Sequence, residues 1–352
     1  MEPSRLSRSG GFGSSWSVAL TAIRASEWWD YKLVPILAAF YATAAMLGVP
    51  IARLWPSAAL LLLSMLAGAA YVSLVNDLTD IAEDRAAGKP NRLAGRSRAL
   101  CIVALSAPIC AGSVFLYLWR DDPALFAAYA GAWIAFSLYS LPPVRLKVRG
   151  LAGVIADASG AHLFPTLVAM LLAFRGAGQN PDPVWLAAGS AWAFGYGLRG
   201  IFWHQLSDLA HDRQAGVRTF AQRHSRVVTN RLGAWLAFPL ELAGLSVLLW
   251  ELGSPIPVLL LVLYLLMARL RVLRWEMNAI LVEPAPRYFM LMHEYYDVFL
   301  PIGILLASSL RYPLDLTILA LHLLLFSRRP IEAADVARRL AWEELGRRFQ
   351  SR

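Results

Sequence analysis

The chain has 352 residues, of which 58% are apolar types and 16% are charged, well below the roughly one quarter that a water-facing globular domain carries. With a mean hydropathy of +0.50, this excludes an ordinary soluble enzyme and makes the bilayer the expected solvent. The formal charge of +9 arises from 33 basic against 24 acidic residues; the basic ones sit in loops between apolar runs, not on a soluble face interleaved with aromatics, which argues against a nucleic-acid partner.

From the N-terminus, Met1 to Trp16 is rich in Ser, Gly and Arg and has neither an apolar core nor a small-residue cleavage site, so it is not a secretory signal. Residues 1–32 read as a cytoplasmic tail with an interfacial segment. Ten apolar runs follow, at about 33–50, 55–76, 99–119, 124–141, 151–174, 185–206, 230–250, 256–273, 296–310 and 313–327. Most are long enough for a membrane-crossing helix; the last is short and interrupted by Asp315 and His322. Cys101 and Cys110 fall in the third run and read as small apolar packers, not a bridge or a metal pair.

Lys and Arg set the orientation, since cytoplasmic loops carry their excess. Arg85, Lys89, Arg92, Arg96 and Arg98 follow run two; Arg145, Lys147 and Arg149 follow run four; Arg213, Arg218, Arg223, Arg226 and Arg231 follow run six. The odd-numbered exits carry few. Both termini are therefore expected inside a cell membrane, taken as bacterial, with an amphipathic Arg-rich helix from about 331 to 350 on its surface.

At the cytoplasmic end of run two the chain reads Asn76-Asp77-Leu78-Thr79-Asp80-Ile81-Ala82-Glu83-Asp84. Aspartates at i, i+3 and i+7 fall within about 60° of each other on a helix, so three carboxylates converge. Each ionised carboxylate near an apolar boundary costs about 2–3 kcal/mol, and like charges add to that cost unless a cation lies among them. Hard oxygen donors without His or Cys suit Mg²⁺, which favours a few carboxylates plus water and substrate phosphate. The plainer reading is a solvated helix end that offsets the basic loop beyond it.

A second segment weighs against the plainer reading. Gln205 to Gly216, at the end of run six, matches Asp77 to Gly88 in seven of twelve places at an offset of 128 residues, including Asp80/Asp208, Asp84/Asp212, Arg85/Arg213 and Gly88/Gly216. The expected fold is an all-α, multi-pass membrane protein: nine to ten transmembrane helices in a bundle of two pseudo-repeated four-helix halves around a central cavity. Acidic walls facing one another would hold two or more Mg²⁺ ions with a highly anionic ligand between them, for which diphosphate is the natural candidate. Lys89, Arg92, Arg145, Lys147 and Arg218 lie in the same loops and are candidates to grip its free oxygens.

On these residues the chain resembles the UbiA superfamily of intramembrane prenyltransferases. Asn76, Asp77, Asp80 and Asp84 fit its NDxxDxxxD signature and are followed by Lys89-Pro90-Asn91-Arg92; Tyr139-Ser140-Leu141-Pro142-Pro143-Val144-Arg145-Leu146-Lys147 is similar to its Tyr/Lys motif; Gly216 to Thr219 is similar to the ending of its second acidic motif. The resemblance implies a helical bundle that opens laterally for a lipid tail and binds an isoprenyl diphosphate through Mg²⁺. By it, Asn76, Asp77, Asp80, Asp84, Asp208 and Asp212 are the metal set, Tyr139 directs the diphosphate, and the acids with Tyr139 and Lys147 form the catalytic set. Two departures stand out: Gln205 replaces the usual leading Asp of the second motif, and a tenth run with a C-terminal helix extends the chain. The prenyltransferase domain is placed at 33–310, and an extra span with a surface helix at 311–352.

An allylic diphosphate ionises once its leaving-group charge is cancelled, so no enzyme nucleophile is required. Trp192, Phe194, Tyr196, Phe202 and Trp203 on run six are candidates to shield the cation, although membrane aromatics more often pack or anchor. Asp157, His162, Arg199 and Glu241 are intramembrane ionisable groups, which mark cavities. Arg199 is expected to pair with Asp157 or Glu241 or to meet substrate, and His293 to Asp297 to meet the acceptor or to anchor an interface. A terpene cyclase on the same scaffold, or a transporter of an anionic lipid or metabolite, stands as the alternative function; a CDP-alcohol transferase does not, because Asp80 to Arg85 lacks DGxxAR. The acceptor is not legible.

Overall fold

The computed structural model describes residues 28–350 apart from Ala87 and Ala215; most of the expected N-terminal tail, 1–27, lies outside the described residues. Helix dominates. A π-turn at Trp29–Leu33 leads into α1 (Val34–Met46), and then come α2 (Trp55–Thr79), α3 (Ile81–Ala86), α4 (Arg98–Leu118) and α5 (Pro123–Ser140). The middle of the chain holds α6 (Leu151–Ala158), α7 (Phe164–Ala177), α8 (Pro183–Ser207), α9 (Leu209–Gln214) and α10 (Phe220–Arg223). Beyond them lie α11 (Arg226–Leu232), α12 (Phe238–Leu252), α13 (Pro255–Trp275), α14 (Leu300–Arg311), α15 (Asp315–Leu325) and α16 (Arg328–Gln350). Two three-residue strands, β1 (Asn278–Ile280) and β2 (Tyr288–Met290), pair in parallel between α13 and α14, a small departure from an all-α expectation.

Local sequence explains where the helices begin. Proline opens α2, α5, α8 and α13 within the first two positions, where its missing N–H costs nothing. Asp122 and Asp182 cap α5 and α8 by accepting from the Leu125 and Trp185 amides at 3.1 and 2.8 Å. Among the described residues, five helices are long and apolar enough to cross a membrane: Ile51–Thr79, Arg98–Leu118, Leu151–Ala177, Arg226–Leu252 and Pro255–Trp275. The core runs along α1, whose residues from Val34 to Ala44 are all buried, with α7 and α8 beside it. Leucines and valines of α4 and α13 point outward, as lipid-facing side chains do.

The tenth expected span is corrected. α15 has 11 residues, about 16 Å of helix against a hydrocarbon core of about 30 Å. It is tied down by polar contacts: Asp315 accepts from the Ile51 and Ala52 amides at 3.0 and 2.8 Å and from the Ser308 hydroxyl at 2.5 Å, while His322 Nδ1 lies 3.4 Å from the Tyr41 hydroxyl. The terminal helix starts at Arg328, three residues before its expected start. Cys101 is buried but Cys110 is exposed, so only the first packs as expected.

Candidate active site

Both acidic segments break at the same offset, at Asp80 and at Asp208. α2 stops at Thr79 and α3 starts at Ile81; α8 stops at Ser207 and α9 starts at Leu209. The breaks share their backbone hydrogen bonds: the amides of Asp80 and Asp208 each donate to the carbonyl four residues back at 2.9 Å, those of Asp84 and Asp212 to the Asp80 and Asp208 carbonyls at 2.8 and 2.9 Å, and those of Gly88 and Gly216 to the Arg85 and Arg213 carbonyls at 3.2 Å. Gly88 and Gly216 have φ of +65° and +69°, left-handed values that a side chain would strain. Thr79, with Ser207 in its place in the second segment, lies within hydrogen-bond distance of the Val75 and Asn76 carbonyls (3.0 and 3.3 Å) and so competes with the helical ladder. The expectation of three acids on one uninterrupted helix face is therefore corrected: the chain turns at the aspartate and distributes the acids around the break.

Each acid has a defined partner. Asp77 is fully buried and accepts from Arg92 Nε at 2.6 Å. Asn91 donates to the Asp77 carbonyl at 2.7 Å and to Asp84 Oδ2 at 2.8 Å. Asp80 accepts from Arg145 at 3.1 Å and from Lys147 Nζ, and both cations also reach Glu83, at 2.7 and 3.1 Å. Asn76 Oδ1 accepts from Ser140 at 2.5 Å. In the second segment Asp208 pairs with Lys89 Nζ at 3.2 Å and has His204 Nε2 at 3.7 Å. Asp212 accepts from Thr219 at 3.2 Å. Burial raises the Asp212 carboxyl above its usual range, as does the like charge of Asp208, against the opposing Thr219 hydrogen bond.

Lys89 thus reaches from the first loop to the second acidic helix end. Tyr139 is half-buried, takes part in no hydrogen bond with a described residue, and stands within electrostatic range of Asp157, Asp80 and Asp212. Lys147 is nearly buried where its loop meets α6; a Cβ on Gly153 would strike the Leu146 carbonyl. Arg145 adopts a left-handed φ of 41°, uncommon for a long side chain and frequent at functional sites. Arg218 is exposed and touches none of the acids.

Gln205 has a different surrounding from the acids around it. It is buried and accepts from the Ala221 amide at 3.1 Å. Asp77, its counterpart at the 128-residue offset, is equally buried under its own loop, and where Asp77 has Arg92 the second segment has Phe220. A carboxylate at 205 would be buried without a guanidinium. The neutral amide avoids that charge, and Gln205 tethers a loop through Oε1, although its Nε2 is buried without a hydrogen-bond partner among the described residues.

Glu83, Asn91 and Thr219 were missed as partners of this cluster. Asn91 and Thr219 stand seven residues after Asp84 and Asp212, a repeated spacing that was available in the sequence. Several other expected groups engage one another, Arg199 and Glu241 in one of the expected pairings. Arg199 is buried and pairs with Glu241 through two bonds of 2.6 and 2.8 Å, while donating to the Leu281 and Leu291 carbonyls at 2.9 Å each. Glu241 also accepts from Tyr296 at 2.7 Å, Glu294 pairs with Arg271 at 2.6 Å, and Asp297 with Arg329 at 3.4 Å. Trp192, Tyr196 and Phe202 are buried, and Trp203 donates to the Tyr288 hydroxyl at 3.2 Å.

The donor set is oxygen throughout and fits a hard divalent cation. Among the described residues no three His, Cys, Asp or Glu side chains form a ready-made metal cage. Mg²⁺ needs none, since it binds through one or two carboxylates with water and substrate phosphates completing its shell. Asp80 and Asp208 keep 23% and 28% of their side chains accessible, enough to meet a ligand.

A model of the UbiA prenyltransferase family matches residues 33–283. No curated protein matches this chain. Among solved structures, a UbiA homolog from Archaeoglobus fulgidus superposes with a TM-score of 0.50 at 16% identity, over 88% of this chain and 99% of that one. The homolog bound to GPP and Mg²⁺ gives 0.49 at 17% identity over 85% and 99%, and that bound to DMAPP and Mg²⁺ gives 0.49 at 16% over 89% and 97%.

Proposed function

This chain belongs to the UbiA prenyltransferase family, and from that premise we propose that it moves an isoprenyl group from an isoprenyl diphosphate to an acceptor held at the membrane. The observation that carries the reading is the meeting of two acidic helix ends with one basic set: Lys89 of the first loop lies on Asp208 of the second segment, and Tyr139 lies in the field of both Asp80 and Asp212. The matching breaks at the 128-residue offset support a duplicated bundle of about nine spans over 33–310, with 311–352 as an appendage. The loop distribution of Lys and Arg supports cytoplasmic ends.

Mg²⁺ would be held by Asp80, Asp84, Asp208 and Asp212, with Asn76 and Asp77 behind them, and would supply positive charge to the leaving diphosphate. Lys89, Arg145 and Lys147 are placed to donate to diphosphate oxygens. Arg92, committed to buried Asp77, holds its loop. Arg218 reaches a diphosphate only if its loop turns inward. Tyr139 orients the leaving group by its hydroxyl. The surrounding apolar helices keep water from the allylic cation.

Purified protein given labelled geranylgeranyl diphosphate and Mg²⁺ should release diphosphate, and EDTA should stop it. Product analysis with and without candidate acceptors separates transfer from cyclisation; absence of Mg²⁺-dependent release would overturn both.

A further inference from the structure

Beyond the acidic helix ends, the interior of the bundle holds Asp157, a carboxylate that accepts no hydrogen bond and joins no ion pair with any described residue, yet keeps part of its surface accessible. Its position follows from two close approaches. Gly153 abuts the Leu146 carbonyl at the Lys147 loop, and residues four apart share a helix face, so Asp157 comes one turn deeper on the side of that loop. On the flank toward α8, a Cβ on Gly197 would stand 3.0 Å from the Ala158 carbonyl oxygen and 3.0 Å from His162 Cδ2. Asp157 is thereby fixed at the seam of α6 and α8.

The groups around it come from different elements. Lys32, before α1, and His204, on α8, act on Asp157, which in turn acts on Tyr139 at the end of α5. Lys32 also acts on His162 of the π-turn Ser159–Leu163 that follows α6, and Tyr139 stands near Asp80 and Asp212. A single side chain, Tyr139, therefore stands near Asp157 and near both acidic helix ends. Lys32, too, has no hydrogen-bond or ion partner among the described residues. An unpartnered carboxylate inside a membrane bundle is costly, and such groups mark substrate or proton paths.

We propose that Asp157 takes the proton that the acceptor gives up on prenylation, with Lys32 as its balancing charge. This rests on the prenyl-transfer reading. The C1–O bond of the isoprenyl diphosphate breaks and its electron pair leaves on the diphosphate; an electron pair of the acceptor forms the new bond to C1; the hydrogen on the attacking acceptor atom leaves as a proton to a carboxylate oxygen of Asp157. The acceptor class follows. It bears hydrogen on its nucleophilic atom, as a phenol ring carbon, an alcohol or an amine does, and is not an ionised phosphate or carboxylate oxygen, which has no proton to lose.

The test compares wild type, Asp157→Asn and Asp157→Glu in two measurements. Calorimetry with MgCl₂ and inorganic pyrophosphate reads the diphosphate site. Membranes supplied with labelled geranylgeranyl diphosphate read the rate of forming whichever prenylated lipid disappears from cells when the gene is deleted. Asp157→Asn should bind pyrophosphate within about twofold of wild type and form the lipid about a hundredfold more slowly, the loss expected for a positioned base; Asp157→Glu should recover part of the rate. A wild-type rate in Asp157→Asn, or pyrophosphate binding lost in parallel, overturns the inference alone. No pyrophosphate binding by wild type and no lipid lost on deletion would remove the prenyl-transfer reading and the inference with it.

Discussion

Lys89 Nζ lies 3.2 Å from Asp208 Oδ2, an ion pair between residues 119 apart in sequence that fastens the loop of the first acidic segment to the helix end of the second. Both side chains are partly exposed, at 42% and 28%, so the pair adds little to stability. Lys89→Ala should leave the melting temperature within about two degrees, yet raise KM for isoprenyl diphosphate about tenfold, the worth of one charge-assisted hydrogen bond. Steady-state kinetics with a melting curve checks both.

Removing an acid is expected to act more severely. Asp80→Ala and Asp208→Ala should each lower Mg²⁺-dependent diphosphate release about a hundredfold or more, with insertion into the membrane retained. Unchanged turnover in both variants would dispose of the paired acidic ends as the working site.

The second segment offers a test of its neutral residue. Gln205→Asp buries a carboxylate that has no guanidinium beside it, a change expected to cost about 3 kcal/mol or more. Phe220→Arg supplies the residue found at the same offset in the first segment. The double variant should melt higher than Gln205→Asp alone, although Phe220 is itself a core residue packed on Phe202 at 5.6 Å between ring centroids. Melting curves of the four proteins in detergent decide it.

Arg199 and Glu241 form a fully buried pair. Either Arg199→Met or Glu241→Leu should destabilise by about 3–5 kcal/mol, since each leaves a charge or its polar neighbours uncompensated. Arg199→Met with Glu241→Leu should cost less than the two single changes added. A double-mutant cycle on thermal or denaturant unfolding measures the coupling.

The C-terminal helix predicts a pH effect. Burial raises the Glu332 carboxyl, but hydrogen bonds from Arg328 and Arg329 outweigh it and hold the group below its usual value of 4.5. A depressed carboxylate stabilises the fold above its unfolded pKa, and that contribution is lost as pH falls through the folded one. Glu332, Arg328 and Arg329 all lie in α16, so its first turn should loosen on acidification below about pH 4.5, and Glu332→Gln should flatten the dependence. Proteolytic release of the C-terminus across the pH range reads it.

Much of the layout was legible because hydropathy reports the solvent of each segment: nine of the ten apolar runs coincide with helices of 13 residues or more or with helices joined by a π-turn. The failure at 313–327 has a physical cause, since composition there says apolar while Asp315 spends both oxygens on the Ile51 and Ala52 amides and fixes the start of a helix that ends at Leu325. The acids were legible as types and spacings. Their geometry was not, because a helical wheel assumes a continuous helix and the chain breaks at Asp80 and Asp208. Arg199 left three partners open in the sequence, and only the crossing of α8 with α12 selects Glu241. The role of Gln205 was hidden for a related reason: its meaning depends on Phe220, fifteen residues away.

The breaks at Thr79 and Ser207 have an electrical consequence. Both long helices arrive at the site with their carboxyl ends, which carry about half a negative elementary charge each from the aligned peptide dipoles. Folds that seize phosphate directly present the opposite pole, the amide-rich start of a helix. Here the two long helices repel an anion, so recruitment of a diphosphate leans on side-chain cations and bound metal, and the affinity for it should fall steeply in any buffer that strips those counter-charges away.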